Sequence, residues 1–151
     1  MHIKRILLVE DDVNDRELTL AALTEHNIAN EVIALRDGAE ALDYLYCRGP
    51  FTERPPELPA VVLLDLKMPK VDGLEVLATM KGDPRLRNVP VVMLTSSREE
   101  RDMVESYRLG VNAYVVKPVD FDAFLKAVRH IGYFWALVNE PPPPAGTGTM
   151  P

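Results

Sequence analysis

Four apolar, strand-like runs in this chain end on residues that can do chemistry. Ile6-Leu7-Leu8-Val9 leads into Glu10-Asp11-Asp12, and Val61-Val62-Leu63-Leu64 leads into Asp65. Val91-Val92-Met93-Leu94 leads into Thr95, and Tyr114-Val115-Val116 leads into Lys117-Pro118. In a parallel sheet the C-terminal ends of all strands lie on one edge, and open α/β folds bind their ligands there. That edge would bring carboxylates, a hydroxyl and an ammonium into one cleft, with Asp65 at its centre. Carboxylates are covalent nucleophiles toward phosphoryl groups. Crowded together without a cation they repel, and one of them must rise in pKa. Mg²⁺ relieves that conflict, because it takes oxygen ligands and retains waters, and it offsets charge that develops on phosphoryl oxygens. Lys117 adds a mobile positive charge and Thr95 a hydroxyl donor.

Each element alone has an ordinary explanation. An Asp at a strand end is usually a helix cap, and Asp12 can be only that. Thr95-Ser96-Ser97 alone reads as a turn with Ser97 as a cap, and Lys117-Pro118 alone as a loop. The specificity lies in the joint order of acids, Asp, Thr and Lys, each ending a separate strand. His2, His26 and His130 are scattered without metal-ligand spacing. No G-x-x-x-x-G-K loop is present, which argues against nucleotide binding.

The elements that must position these residues follow a βα rhythm repeated five times, which points to a parallel sheet. Strands are predicted at residues 5–9, 31–35, 60–64, 91–94 and 113–116. The third is continuous and apolar, as a strand buried on both faces should be. Helix one is predicted over 15–26, capped by Asn14 with Glu17 three residues on. Helix two begins after Asp37, with Glu40 as the reciprocal acid and Ala41, Leu42 and Leu45 on its apolar face. Helix three starts near Gly73, carries Leu74, Leu77 and Met80 at helical spacing, and stops at Gly82-Asp83-Pro84. Helix four runs over about 98–109, with Ser97 and Glu100 at its start and Gly110 past its end. Helix five carries Phe121, Phe124, Leu125 and Val128. Two segments break the rhythm. Residues 48–59 hold Gly49-Pro50, Pro55-Pro56 and Pro59 and read as a long stiff loop. The composition of residues 140–151, with four prolines followed by Ala145-Gly146-Thr147-Gly148-Thr149, predicts a disordered tail after a single domain at 1–139.

A chain of 151 residues, 47% hydrophobic, suits one globular domain with a real core. Its net charge of −6 argues against nucleic acid as a partner, because phosphate binding wants a basic face. Cys47 is the single cysteine, so no internal disulfide is possible and a reducing compartment fits. The first residues lack the apolar run of a signal peptide, and no stretch is long enough to span a membrane. A cytoplasmic protein with no membrane and no nucleic-acid partner is expected.

Taken together, Leu8-Val9-Glu10-Asp11-Asp12, Leu64-Asp65-Leu66-Lys67-Met68-Pro69 with Asp72-Gly73, Leu94-Thr95-Ser96 and Tyr114-Val115-Val116-Lys117-Pro118 resemble the receiver domain of two-component response regulators. The resemblance covers about residues 3–135. It implies an α/β, doubly wound, five-stranded parallel sheet in the order 2-1-3-4-5, the flavodoxin-like receiver fold. It also implies roles. Asp65 would accept a phosphoryl group from a sensor histidine kinase. Asp11 and Asp65 would ligate Mg²⁺, with the backbone carbonyl of Lys67 as a third ligand and Glu10 acting through a metal-bound water. Lys117 would pair with Asp65 or its phosphate, Thr95 would swing toward the phosphate, and Tyr114 would move inward behind it. The Lys117–Pro118 bond would be cis. Glu10 departs mildly from the family, since many relatives have Asp there. The output face would be helix four, strand five and helix five. No DNA-binding domain follows helix five, so a stand-alone receiver is expected. The proline-bearing loop and the Phe134-Trp135 extension resemble receivers that accompany bacterial phytochrome kinases. Ile131, Phe134, Trp135 and Val138 fall at i, i+3, i+4 and i+7 beyond the core and are read as a homodimer interface within a helix four to helix five face. Two alternatives stay open. One is a phosphohydrolase using an aspartyl phosphate, disfavoured because Lys67 stands where such enzymes carry an acid. The other is a phosphorylation-independent docking module.

Overall fold

The computed structural model describes residues 4–24, 30–96, 99–117 and 120–130. Five strands alternate with five helices: β1 (Ile6–Val9), α1 (Val13–Thr24), β2 (Val32–Leu35), α2 (Gly38–Leu45), β3 (Val61–Asp65), α3 (Gly73–Gly82), β4 (Val91–Thr95), α4 (Glu100–Arg108), β5 (Ala113–Val116) and α5 (Phe121–His130). The strands form one sheet in the order β2-β1-β3-β4-β5, and every pairing is parallel. This is the doubly wound, flavodoxin-like arrangement that the resemblance implies.

The sheet is buried on both faces because its central strands carry no polar alternation: β1, β3 and β4 are buried along their whole length. One face packs Leu7, Val9, Val62, Leu64, Val91 and Met93 against Ala41, Leu45, Val76, Leu77 and Met80 of α2 and α3. The other face packs Ile6, Leu8, Val61, Leu63, Val92 and Leu94 against Leu23 of α1 and Phe124 and Ala127 of α5. Alternate residues of each strand thus serve opposite layers.

Short acids cap the starts of α1, α2, α3 and α5, whereas Glu99 before α4 makes no side-chain cap. Asp37 accepts the Glu40 amide at 2.8 Å, and Asp72 accepts the Glu75 amide at 2.9 Å. Two expectations change here. Helix one starts at Val13, earlier than predicted, and its cap is Asp12, which accepts the Asp15 amide at 2.9 Å; Asn14 lies inside the first turn. Glu40 does not return to the Asp37 amide; its carboxylate accepts the Arg36 amide at 3.2 Å and pairs with the Arg36 guanidinium. Within the proline-bearing segment, Gly49–Phe51 form one 3-10 turn. Arg54 ties this segment down, donating to the carbonyls of Tyr44, Pro55 and Glu57 and lying 4.0 Å over the Tyr44 ring. Ser97, Pro118, His2, His26 and the stretch 131–151, with Ile131, Phe134, Trp135 and Val138, lie outside the described residues.

Candidate functional site

The strand register carries the reactive groups to one edge. Val9 pairs with Leu64, Asp65 with Leu94 and Thr95 with Val116, so Glu10, Asp65, Thr95 and Lys117 all lie at strand C-terminal ends. Backbone bonds extend the ladder past the strands: the Glu10 amide donates to Leu35 O and the Lys117 amide to Thr95 O, at 2.9 and 2.8 Å. Glu10, Asp65 and Thr95 are buried, with residue exposures of 2%, 7% and 1%. Asp11 is exposed, Tyr114 is half-buried, and Tyr114 packs against the α2–α3 side of the core. Lys67, in the loop to α3, is exposed.

Asp65 is anchored to its own strand end, its Oδ1 accepting the Leu66 amide at 3.0 Å. The backbone of α3 closes on it from behind. A Cβ built on Gly73 would stand 2.2 Å from the Asp65 carbonyl oxygen, and the Gly73 amide donates to Leu66 O at 2.8 Å. Only a residue without a side chain fits there.

One carboxylate oxygen each from Glu10, Asp11 and Asp65 can lie within 4.8 Å of one another. Burial, and then the charge of Glu10, push the Asp65 carboxyl up to about 7, against the opposing pull of Lys117. An all-carboxylate set whose central member resists ionisation fits a hard divalent cation. Lys117 reaches in from β5. Its Nζ donates to Glu10, lies 3.0 Å from Asp15 Oδ2 and stands 3.5 Å from Asp65 Oδ1. Burial opposes its charge, but the bonds to Glu10 and Asp15 and the field of Asp65 outweigh this and hold its pKa above the ordinary lysine value. Asp15 was not among the expected site residues. An acid in the first turn of a helix ordinarily complements the helix dipole, and no spacing in the sequence marks this one as different.

The model of the response regulator receiver domain matches residues 6–129. The chain belongs to this family. Among curated relatives, this receiver is 43% identical over 132 residues to response regulator Rcp1 of Synechocystis sp., covering 87% of this chain and 88% of that protein. Among solved structures, the bacteriophytochrome response regulator AtBRR superposes with a TM-score of 0.85 at 63% identity, covering 93% of this chain and all of that one. The Mn(2+)-bound form of Rcp1 gives 0.73 at 40% identity, covering 98% and 99%. The phosphorylated cyanobacterial phytochrome response regulator RcpA gives 0.74 at 41% identity, covering 89% and 94%. Among the described residues, no helix of this receiver is long and apolar enough to cross a membrane.

Proposed function

We propose that this receiver takes a phosphoryl group on Asp65 from the phosphohistidine of a sensor histidine kinase that is itself a bacterial phytochrome. The carrying observation is the placement of one buried Asp among two further carboxylates and an ammonium at the strand edge. Likeness to AtBRR and RcpA supports the phytochrome link.

In the transfer an Asp65 oxygen attacks phosphorus in line. The O–P bond forms as the N–P bond of the donor breaks, and that electron pair returns to the imidazole nitrogen. Asp11, Asp65 and the Lys67 carbonyl would hold Mg²⁺ directly and Glu10 through a water; the ion supplies positive charge against the developing charge on the phosphoryl oxygens. Lys117 offers a second positive charge, and the Thr95 hydroxyl donates to a phosphoryl oxygen. Thr95 moves toward the phosphate, Tyr114 follows into the space behind it, and the arrangement of α4, β5 and α5 that permits this gains population. The chain so acts as a switch and not as a turnover catalyst, in the cytoplasm where it meets its kinase.

The same face is proposed as the homodimer contact, continued by Ile131, Phe134, Trp135 and Val138. Met103, Val104 and Tyr107 of α4 support this, with exposures of 37%, 57% and 50%.

Labelling with radioactive acetyl phosphate and Mg²⁺ tests the acceptor. The wild-type chain should gain a hydroxylamine-sensitive label, and Asp65→Asn should gain none. Wild-type labelling of that variant would overturn the assignment.

A further inference from the structure

Lys117 has more acceptors around it than the proposed transfer requires. Its ammonium carries three N–H donors and no acceptor. Glu10 takes one of them, Asp15 Oδ2 lies 3.0 Å away, and Asp65 Oδ1, at 3.5 Å, is beyond ordinary hydrogen-bond reach. Two carboxylates therefore hold the cation slightly back from the residue it is expected to serve.

The two holders differ in what release would cost. The Glu10 side chain is 3% exposed, and its second oxygen already accepts the Asp12 amide at 3.1 Å. Its carbonyl also accepts from the Arg16 guanidinium at 2.9 Å, so Glu10 is fixed on both sides by the turn into α1. The Asp15 side chain is 41% exposed and stands on the first turn of α1, where water can replace the ammonium at low cost. Its position is nevertheless defined, because Asp12 caps its amide.

We propose that Asp15 is a positioning residue that restrains Lys117 while Asp65 is unmodified and releases it when a phosphoryl oxygen competes for the ammonium. This rests on the reading of Asp65 as the phosphoacceptor. Asp15 acts through Lys117 and touches neither the metal set nor phosphorus. Without its carboxylate the ammonium moves toward Asp65 and meets an incoming phosphodonor sooner.

The test compares wild type, Asp15→Asn, Asp15→Glu, Lys117→Met and the double variant Asp15→Asn/Lys117→Met. Initial rates of labelling by acetyl phosphate should rise about 2- to 5-fold in Asp15→Asn, the scale of a half-exposed ion pair. Asp15→Glu should restore the wild-type rate. In the Lys117→Met background the Asp15→Asn change should have no effect, whereas a general loss of negative field would persist there. A second readout uses no metal and no donor: the side-chain ¹⁵N resonance of Lys117, identified by its absence in Lys117→Met, should move in metal-free Asp15→Asn and return in Asp15→Glu. An unmoved Lys117 resonance, or a rate gain that survives removal of Lys117, would overturn the proposal. If Lys117→Met takes up no label, the resonance comparison decides. Failure of wild type to label would instead count against the Asp65 reading, and unchanged labelling of Asp15→Asn beside a normally labelled wild type counts only against Asp15.

Discussion

Asp65 is buried beside other acids, and that placement has a thermodynamic signature. With its carboxyl raised from 3.8 to about 7 in the fold, the native state without metal binds a proton that the unfolded chain has already lost. Protons therefore favour folding. The contribution is full below the unfolded value and disappears as pH rises through about 7. Urea unfolding of the metal-free protein should show stability falling from pH 5.5 to pH 8.5. Asp65→Asn should flatten that slope and raise stability at pH 8.5 by an amount on the order of 2–4 kcal/mol. Saturating Mg²⁺ should also remove the slope, since a bound cation replaces the proton. A wild-type slope equal to that of Asp65→Asn would refute the expectation. At this scale the sequence was informative where a reactive residue closes an apolar run, as at Asp65, Thr95 and Lys117, because the pattern both builds the strand and aims its end. It was uninformative at Asp15, whose role comes from a cation 102 positions away in the chain. It also misassigned the first cap, because Asp12 and Asn14 are both competent caps and the turn after Glu10 decides between them.

The helices hold the edge open, and two of them can be tested directly. Gly73 lets α3 approach the Asp65 backbone, so Gly73→Ala must displace either the helix or the acceptor. It should cost about 1–3 kcal/mol in urea unfolding and slow acetyl phosphate labelling, whereas Gly82→Ala, where a Cβ meets nothing within 4 Å, should leave labelling unchanged. Phe124 anchors α5 at 1% exposure, and Phe124→Ala should cost about 3–5 kcal/mol. Measured losses under about 1 kcal/mol in both Gly73→Ala and Phe124→Ala would mean that these helices are not seated as described. Element boundaries were readable to within a residue or two wherever strands were uniformly apolar or a short acid stood before Gly, as at Asp37 and Asp72. The 3-10 turn at Gly49–Phe51 was hidden, because Gly and Pro signal a break without saying what fills it. The tie between the ends of α2 and α3, where Tyr46 donates to Asp83 at 2.6 Å, joins residues far apart in sequence and leaves no local pattern.

At the scale of the whole molecule, the βα rhythm predicts a parallel sheet but cannot order it. The uniformly buried β1, β3 and β4 belong in the middle of the sheet, but several orders satisfy that pattern, and the order 2-1-3-4-5 came from resemblance to receivers. The quaternary expectation is tested by sedimentation. Wild type should run as a dimer, and Val104→Lys or Trp135→Ala should shift it toward monomer while Asp65 labelling persists; a wild-type monomer at micromolar concentration would remove the proposed contact. The chain also separates its reactive rim from the segment between α2 and β3, which enters the sheet at the opposite end of the strands. Arg54 clasps that segment while Thr52 and Glu53 stay exposed. A foreign domain spliced between Thr52 and Glu53 would hang from the end of the sheet opposite Asp65, and acetyl phosphate labelling of such a fusion should match that of the parent chain.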